Sequence, residues 1–290
     1  MTVDVPEPLR NVEFEIRLLE ARLDRAHEHF RSFRTLWAAY LEERPHRIDL
    51  VDEPDGTVSV RLRRLSQVPA GLSVVLGELL YELRAALDNC LYAVAVVVSG
   101  QNPPPNAGRL EWPIRADPKE WASQSSRYQH LPSQVVEALE AIQPYQAEAS
   151  GWNSLAILHD LARMDRHRSP RGLGLYASHL RIQHDPSVIT IIEGGAPGIV
   201  ADGQQVVRLQ VAHGHRVSPD NFDLHVEFEV EVTDVSETAG PGGHAGRPWG
   251  SLDNRVRSVV KASTDYIDGL LGIAVEVVQS VEQGSSDGGP

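Results

Sequence analysis

Apolar residues recur in alternating steps of four and three along residues 12–41: Val12, Ile16, Leu19, Leu23, Ala26, Phe30, Phe33, Trp37 and Tyr40. That spacing keeps one face of an α-helix apolar. Glu13, Glu15, Arg17, Glu20, Arg22, Asp24 and Arg25 fill the solvated face, and Pro45 stops the helix. The predicted rod is about 45 Å long. Residues 46–65 change to alternation, with IDLV and VSVRL on either side of Glu53-Pro54-Asp55-Gly56, which predicts a β-hairpin. Residues 71–99 are apolar almost all round and predict a central helix. Its seam is Leu72, Leu76, Leu79, Leu83, Ala86, Cys90, Ala93 and Val97.

A Pro- and Asn-rich loop follows at 99–108, then short connecting structure over 109–150. One helix is predicted there near 133–142, capped by Ser133 and ended by Gln143-Pro144. A third long helix is predicted over 152–167. Beyond Pro170 the stretches LYASHLRI, SVITIIE, QVVRLQVAH and FDLHVEFEVEV alternate as antiparallel strands do. A last helix carries the seam Leu252, Val256, Val259, Ser263, Tyr266, Leu270, Ile273 and Val277.

The expected fold is α+β: a bundle of long helices closed by the N- and C-terminal helices, with a β-hairpin and a β-rich insertion on one side. Its expected parts are a helical core at 1–170 with the hairpin at 46–65, an antiparallel β segment at 171–238 and a linker at 239–249. A returning helix at 250–281 and a disordered tail at 282–290 complete it. The seams at 12–41 and 252–277 either close the chain's own bundle or join a homo-oligomer.

Composition narrows the class. A hydrophobic fraction of 41% with 23% charged residues is ordinary for a globular chain and argues against global disorder. The net charge of −13 repels phosphate backbones at long range and disfavours a general nucleic-acid binder. The longest apolar run, 87–98, is broken by Asp88 and Asn89 and is too short to span a bilayer. With no apolar signal core at the start, a cytoplasmic location is expected. The one cysteine, Cys90, lies in an apolar run and reads as an inert core thiol.

Charge on so apolar a central helix must be paired or must line a cleft. Tyr81, Arg84, Asp88 and Tyr92 form one stripe there, flanked by Glu78 and Glu82. On the 152–167 helix, His159, Arg163, Arg166 and His167 share a face beside Asp160 and Asp165. The two stripes are expected to meet. One reading is an ion-pair network such as Arg84 with Asp165, or Asp88 with Arg166 or His167. The other makes Arg84, Asp88, Asp165 and His167 catalytic, with Arg84 holding an anion and His167 moving protons, and Tyr81, His159, Arg163 and Arg166 as ligand contacts.

Neither metal nor cofactor is expected. His159 and Asp160 could join Asp88 or Glu78, but HExxH is absent and His27 and His29 point to different helix faces. The phosphate-binding loop, the dinucleotide glycine fingerprint and the G-x-S-x-G elbow are absent too. His213, His215 and His244 read as solvated loop residues, and Arg61, Arg63 and Arg64 as a solvated strand face.

Four landmarks carry a resemblance: GELLYELRAALDNCLY at 77–92, Trp112-Pro113-Ile114, Ile142-Gln143-Pro144-Tyr145 and LHDLARMDRHR at 158–168. In order and spacing they resemble a bacterial family with an LRSALDHL-type helix, an FPI-like segment, a QPY and a DKHR-type helix. That family has no assigned activity. Its R-x4-H pattern in turn resembles HEPN-type helical domains, many of them metal-independent ribonucleases. There the Arg steadies the scissile phosphate and the His handles protons. The resemblance implies Arg84 in the first role and RNA as a partner. The His position is Asn89, so His167 would have to supply the proton chemistry. The expectation drawn from all of this is a non-enzymatic protein with a structural cluster. A HEPN-like ribonuclease and a small-ligand module with its pocket between bundle and sheet are the alternatives.

Overall fold

Helix α1 (Glu13–Glu42) turns its seam inward. Val12, Ile16, Leu19, Ala26, Phe33 and Tyr40 are buried, and Leu23, Phe30 and Trp37 pack partly buried beside them. The computed structural model describes residues 7–147, 153–165, 172–233 and 250–286 of the chain. Strands β1 (His46–Asp52) and β2 (Thr57–Arg64) form the expected hairpin. Its turn needs Gly56 at φ 81, and the Asp55 carboxylate accepts from the Thr57 N–H at 3.1 Å.

Helix α2 (Ala70–Ser99) is the hub, packed on α1 along one side. It ends at Gly100, whose φ of 66 forms a left-handed cap. Helices α3 (Pro118–Gln124) and α4 (Ser133–Ala141) follow, then α5 (Ser154–Asp165). Five strands come next: β3 (Leu173–His184), β4 (Ile189–Glu193), β5 (Gly198–Ile199), β6 (Gln204–Val211) and β7 (Phe222–Val232). Helix α6 (Leu252–Ser286) returns to pack on α2 and α5, so the N- and C-terminal helices both flank α2. The mixed α+β architecture is therefore as the periodicity predicts.

Several details differ. Asp117-Pro118 starts a helix, α3, not expected from the sequence; the Asp117 carboxylate accepts from the Lys119 N–H at 2.7 Å and Pro118 fits the first turn. Pro132, not Ser133, is the cap residue of α4, because Ser133 already has helical geometry. The third long helix is described from 154 to 165, within the expected 152–167. The linker at 239–249 lies outside the described residues. Helix α6 runs to Ser286, past residue 282 where low-complexity composition places a tail.

The α6 seam also drifts. Its buried stripe is Leu252, Val256, Val259, Ser263, Ile267, Leu270 and Ala274, with Tyr266, Ile273 and Val277 only half-buried. Those six steps cover the 22 residues from 252 to 274, about 3.7 residues per step, longer than the 3.5 of a left-handed supercoil. Within the chain, α1 packs on α2, and α6 packs on α2 and α5.

The hairpin does not belong to the helical part, as its sequence neighbours imply. Strand β2 pairs antiparallel with β6, giving a sheet in the order β1-β2-β6-β4. The other sheet is β5-β3-β7. Val58, Val60 and Leu62 of one sheet and Ala177 and Leu224 of the other share a second apolar core, so the strands form a sandwich beside the bundle. A buried ion pair spans the junction. Arg255 on α6 meets Glu231 on β7, with both side chains essentially inaccessible, and the Val232 N–H donates to the same Glu231 oxygen at 2.9 Å.

Breaking that pair leaves a charge without its partner in an apolar surrounding. Arg255→Met and Glu231→Leu should each destabilise the protein by about 3–5 kcal/mol, and the double variant should recover most of the loss. Urea unfolding of the two singles and the double gives the comparison; additive losses would contradict the pairing.

Candidate functional site

The polar residues of α2 divide between two faces. Those toward α1 are paired one by one: Glu78 with His29 at 3.3 Å, and Glu82 with Arg22 at 2.7 Å. Asn89 joins the second pair. With its amide oriented to satisfy both neighbours, its oxygen accepts from Arg22 Nε at 3.0 Å and its nitrogen donates to the Ala85 carbonyl at 3.3 Å. Arg84 and Asp88 face the other way, onto the extended segment 110–115.

That segment crosses the core without a strand to pair with. Trp112 is fully buried and Ile114 nearly so, so its backbone must find partners among side chains. Asp88 accepts from the Trp112 N–H at 2.8 Å. Gln143, fully buried at the end of α4, accepts from the Arg115 N–H at 2.8 Å and donates to the Pro113 carbonyl at 3.1 Å and the Leu139 carbonyl at 2.7 Å. The Tyr128 hydroxyl donates to the Glu111 carbonyl at 2.9 Å, and burial pushes its pKa up to about 12. The buried Arg84 guanidinium lies 3.7 Å from the Glu111 carboxylate, which Arg127 approaches at 3.3 Å from the solvent side. Three of the four landmarks thus meet at one place, where Asp88 and Gln143 bind backbone.

Of the eight candidate residues, the structure describes the side chains of Tyr81, Arg84, Asp88 and His159. Arg84 and Asp88 are together. Tyr81 is 57% exposed and opens onto a cleft shared with Arg25, His29 and Glu78, because α1, not segment 110–115, is its neighbour at that level. His159 and Asp160 are exposed, while α5 meets the core through Leu155, Ile157, Leu158 and Leu161. Over the described residues the contact of α5 with the core is apolar. The side chains of Arg163, Asp165, Arg166 and His167 lie outside the described residues, as do the pairings expected of them. Among the described residues no group of three or more His, Cys, Asp or Glu is placed to hold a metal ion. Cys90 is fully buried, and burial, then Asp268, pushes its thiol far above the usual range, so its thiolate is disfavoured.

Glu111, Gln143 and Tyr128 carry the cluster as much as Arg84 does, and sequence reasoning left them without polar roles. Gln143 had one visible signal: a polar residue between apolar Ile142 and Pro144 at a helix end.

A cleft of about 650 Å³ lies at the junction of α1, β7 and α6, lined by Phe33, Arg34, Trp37, Glu229, Val230 and Asp253 among others. It lies apart from Arg84 and Asp88. No helix of the described residues is long and apolar enough to cross a membrane. Comparisons with family models, curated proteins and solved structures give no match to the chain.

If segment 110–115 is held as described, removing its partners strands buried backbone groups. Asp88→Ala should cost about 1–3 kcal/mol through the Trp112 N–H, and Gln143→Ala more, since it strands three groups. Equilibrium unfolding followed by tryptophan fluorescence would measure both; a Gln143→Ala loss below that of Asp88→Ala would contradict this ordering.

Proposed function

We propose that this chain is a cytoplasmic, non-enzymatic protein whose Arg84/Asp88 cluster fixes the bundle. The observation that carries this reading is the Asp88–Trp112 hydrogen bond, which commits a central carboxylate to backbone support. Arg84 is buried against Glu111, and Asn89 is turned to Arg22, so the described members of an R-x4-H pattern diverge. A nuclease needs its cation and its proton carrier to converge on one phosphate.

The same variant separates this reading from the ribonuclease reading. Arg84→Ala should lower stability by about 1–3 kcal/mol through lost packing and pairing. Wild-type protein should leave a single-stranded RNA intact in the absence of metal. Metal-free cleavage by wild type, lost in an Arg84→Ala protein of unchanged melting temperature, would overturn the reading.

The cleft at the junction of α1, β7 and α6 supports a second reading, a small-ligand module. It joins an apolar wall of Phe33, Trp37 and Val230 to the charges of Arg34, Asp253 and Glu229, the composition of a pocket for a small amphipathic molecule. A thermal-shift screen of such molecules should yield ligands whose stabilisation is lost in Trp37→Ala. If every stabilising ligand acts equally on Trp37→Ala, this cleft is not their site.

A further inference from the structure

We propose that the chain forms a two-fold dimer through the free edge of β1, joining two four-stranded sheets into one continuous sheet. Among the described residues β1 is an outer strand, with no strand paired on its far side. The ladder it makes with β2 is bracketed by two bonds, Leu65 N–H to the Pro45 carbonyl at 2.7 Å and Glu53 N–H to the Thr57 carbonyl at 2.9 Å. Antiparallel pairs alternate, so residues 47, 49 and 51 exchange bonds with β2. His46, Ile48, Leu50 and Asp52 therefore direct their N–H and C=O groups outward.

Edge strands are normally blunted by shortness, proline, bulges or charge. Strand β4, the other edge of this sheet, is short and its register shifts between Ile191 and Glu193. Strand β1 pairs without a register shift over all seven residues. Ile48 and Leu50 are 39% and 48% exposed although their partners Leu62 and Val60 are buried. Beside them lies an apolar groove of about 340 Å³ lined by Val217, Pro219, Phe222 and Leu224. An added strand would cover both.

Charge identifies a second copy of this strand as the occupant and selects its register. Arg47 and Asp49 share the outer face, within 2.9 Å of one another. With the two-fold axis at Ile48, Ile48 meets the partner's Ile48 and His46 meets the partner's Leu50 as hydrogen-bonded pairs. Arg47 then stands opposite the partner's Asp49, twice over, at the close non-bonded spacing of about 4.5 Å between Cα atoms. An axis at Asp49 sets two carboxylates against each other, and an axis at Leu50 sets Asp52 against Ile48 on the apolar face. The Ile48 register pairs both charges and both isoleucines.

The dimer extends the functional reading above and does not depend on it. Sedimentation velocity at about 100 µM, a concentration that populates even a micromolar dimer, should show wild type as a dimer. Ile48→Pro removes an N–H that points away from β2, so the hairpin keeps its ladder; the protein should melt as wild type does and sediment as a monomer. Arg47→Asp and Asp49→Arg should each be monomeric, one carrying two acids and the other two bases at the edge, and their equimolar mixture should dimerise. A monomeric wild type, a dimer that survives Ile48→Pro, or a mixture that stays monomeric would each overturn the proposal. If Asp49→Arg fails to fold, Ile48→Pro and Arg47→Asp still decide it.

Discussion

An extended segment passing through an apolar core is tolerable only if its buried backbone groups find partners, and side chains supply them for the Trp112 N–H, the Arg115 N–H and the Glu111 and Pro113 carbonyls of segment 110–115. A strand would have supplied a ladder; here Asp88 and Tyr128 supply one bond each and Gln143 two, from three different places in the chain. Each bond is worth little in net terms, but an unmade one would cost more than it contributes. The segment therefore constrains its surroundings: the second half of α2, the end of α4 and Tyr128 must keep their relative positions for it to remain buried. Of the charges on α2, Asp88 serves this constraint through the Trp112 N–H.

What was legible in the sequence follows from the range of the physics. Helices α1 and α2 could be read because burial writes a period into thirty residues of sequence, and the hairpin because a turn of Pro54, Asp55 and Gly56 is local. Helix α3 went unread since its signal is one aspartate before one proline. The partnership of β2 with β6 leaves no local trace, as its pairs join residues such as Val60 and Val207. At the site, Arg84 and Asp88 stood out as charge in the wrong solvent. Their partners did not, because a backbone N–H such as that of Trp112 carries no signature in the side-chain code. A helical stripe says which residues share a face, not how far along the helix a neighbour covers it, and Tyr81 lies exposed beside α1.

Two apolar cores share this chain, and their junction is polar. The Glu231–Arg255 pair holds the last strand to the last helix in a place where a hydrophobic contact would tolerate sliding. Directional pairing of this kind fixes orientation at a desolvation cost. The neighbouring cleft between α1, β7 and α6 inherits its shape from that fixed angle, which gives a bundle and a sandwich a defined concavity between them.

The pairing of β2 with β6 also bears on how the chain is made. Helices α1 and α2 with the hairpin between them are complete in the first hundred residues, and their contacts are close in sequence. The hairpin's apolar face, Val58, Val60 and Leu62, has to wait for strands more than a hundred residues later before it is covered. During vectorial synthesis this gives a hairpin joined to α1 and α2, its inner surface open until the second half emerges. Loop closure over that separation is slow compared with helix pairing, so the sandwich forms last and the exposed hairpin is the stage at which a folding helper has most to protect.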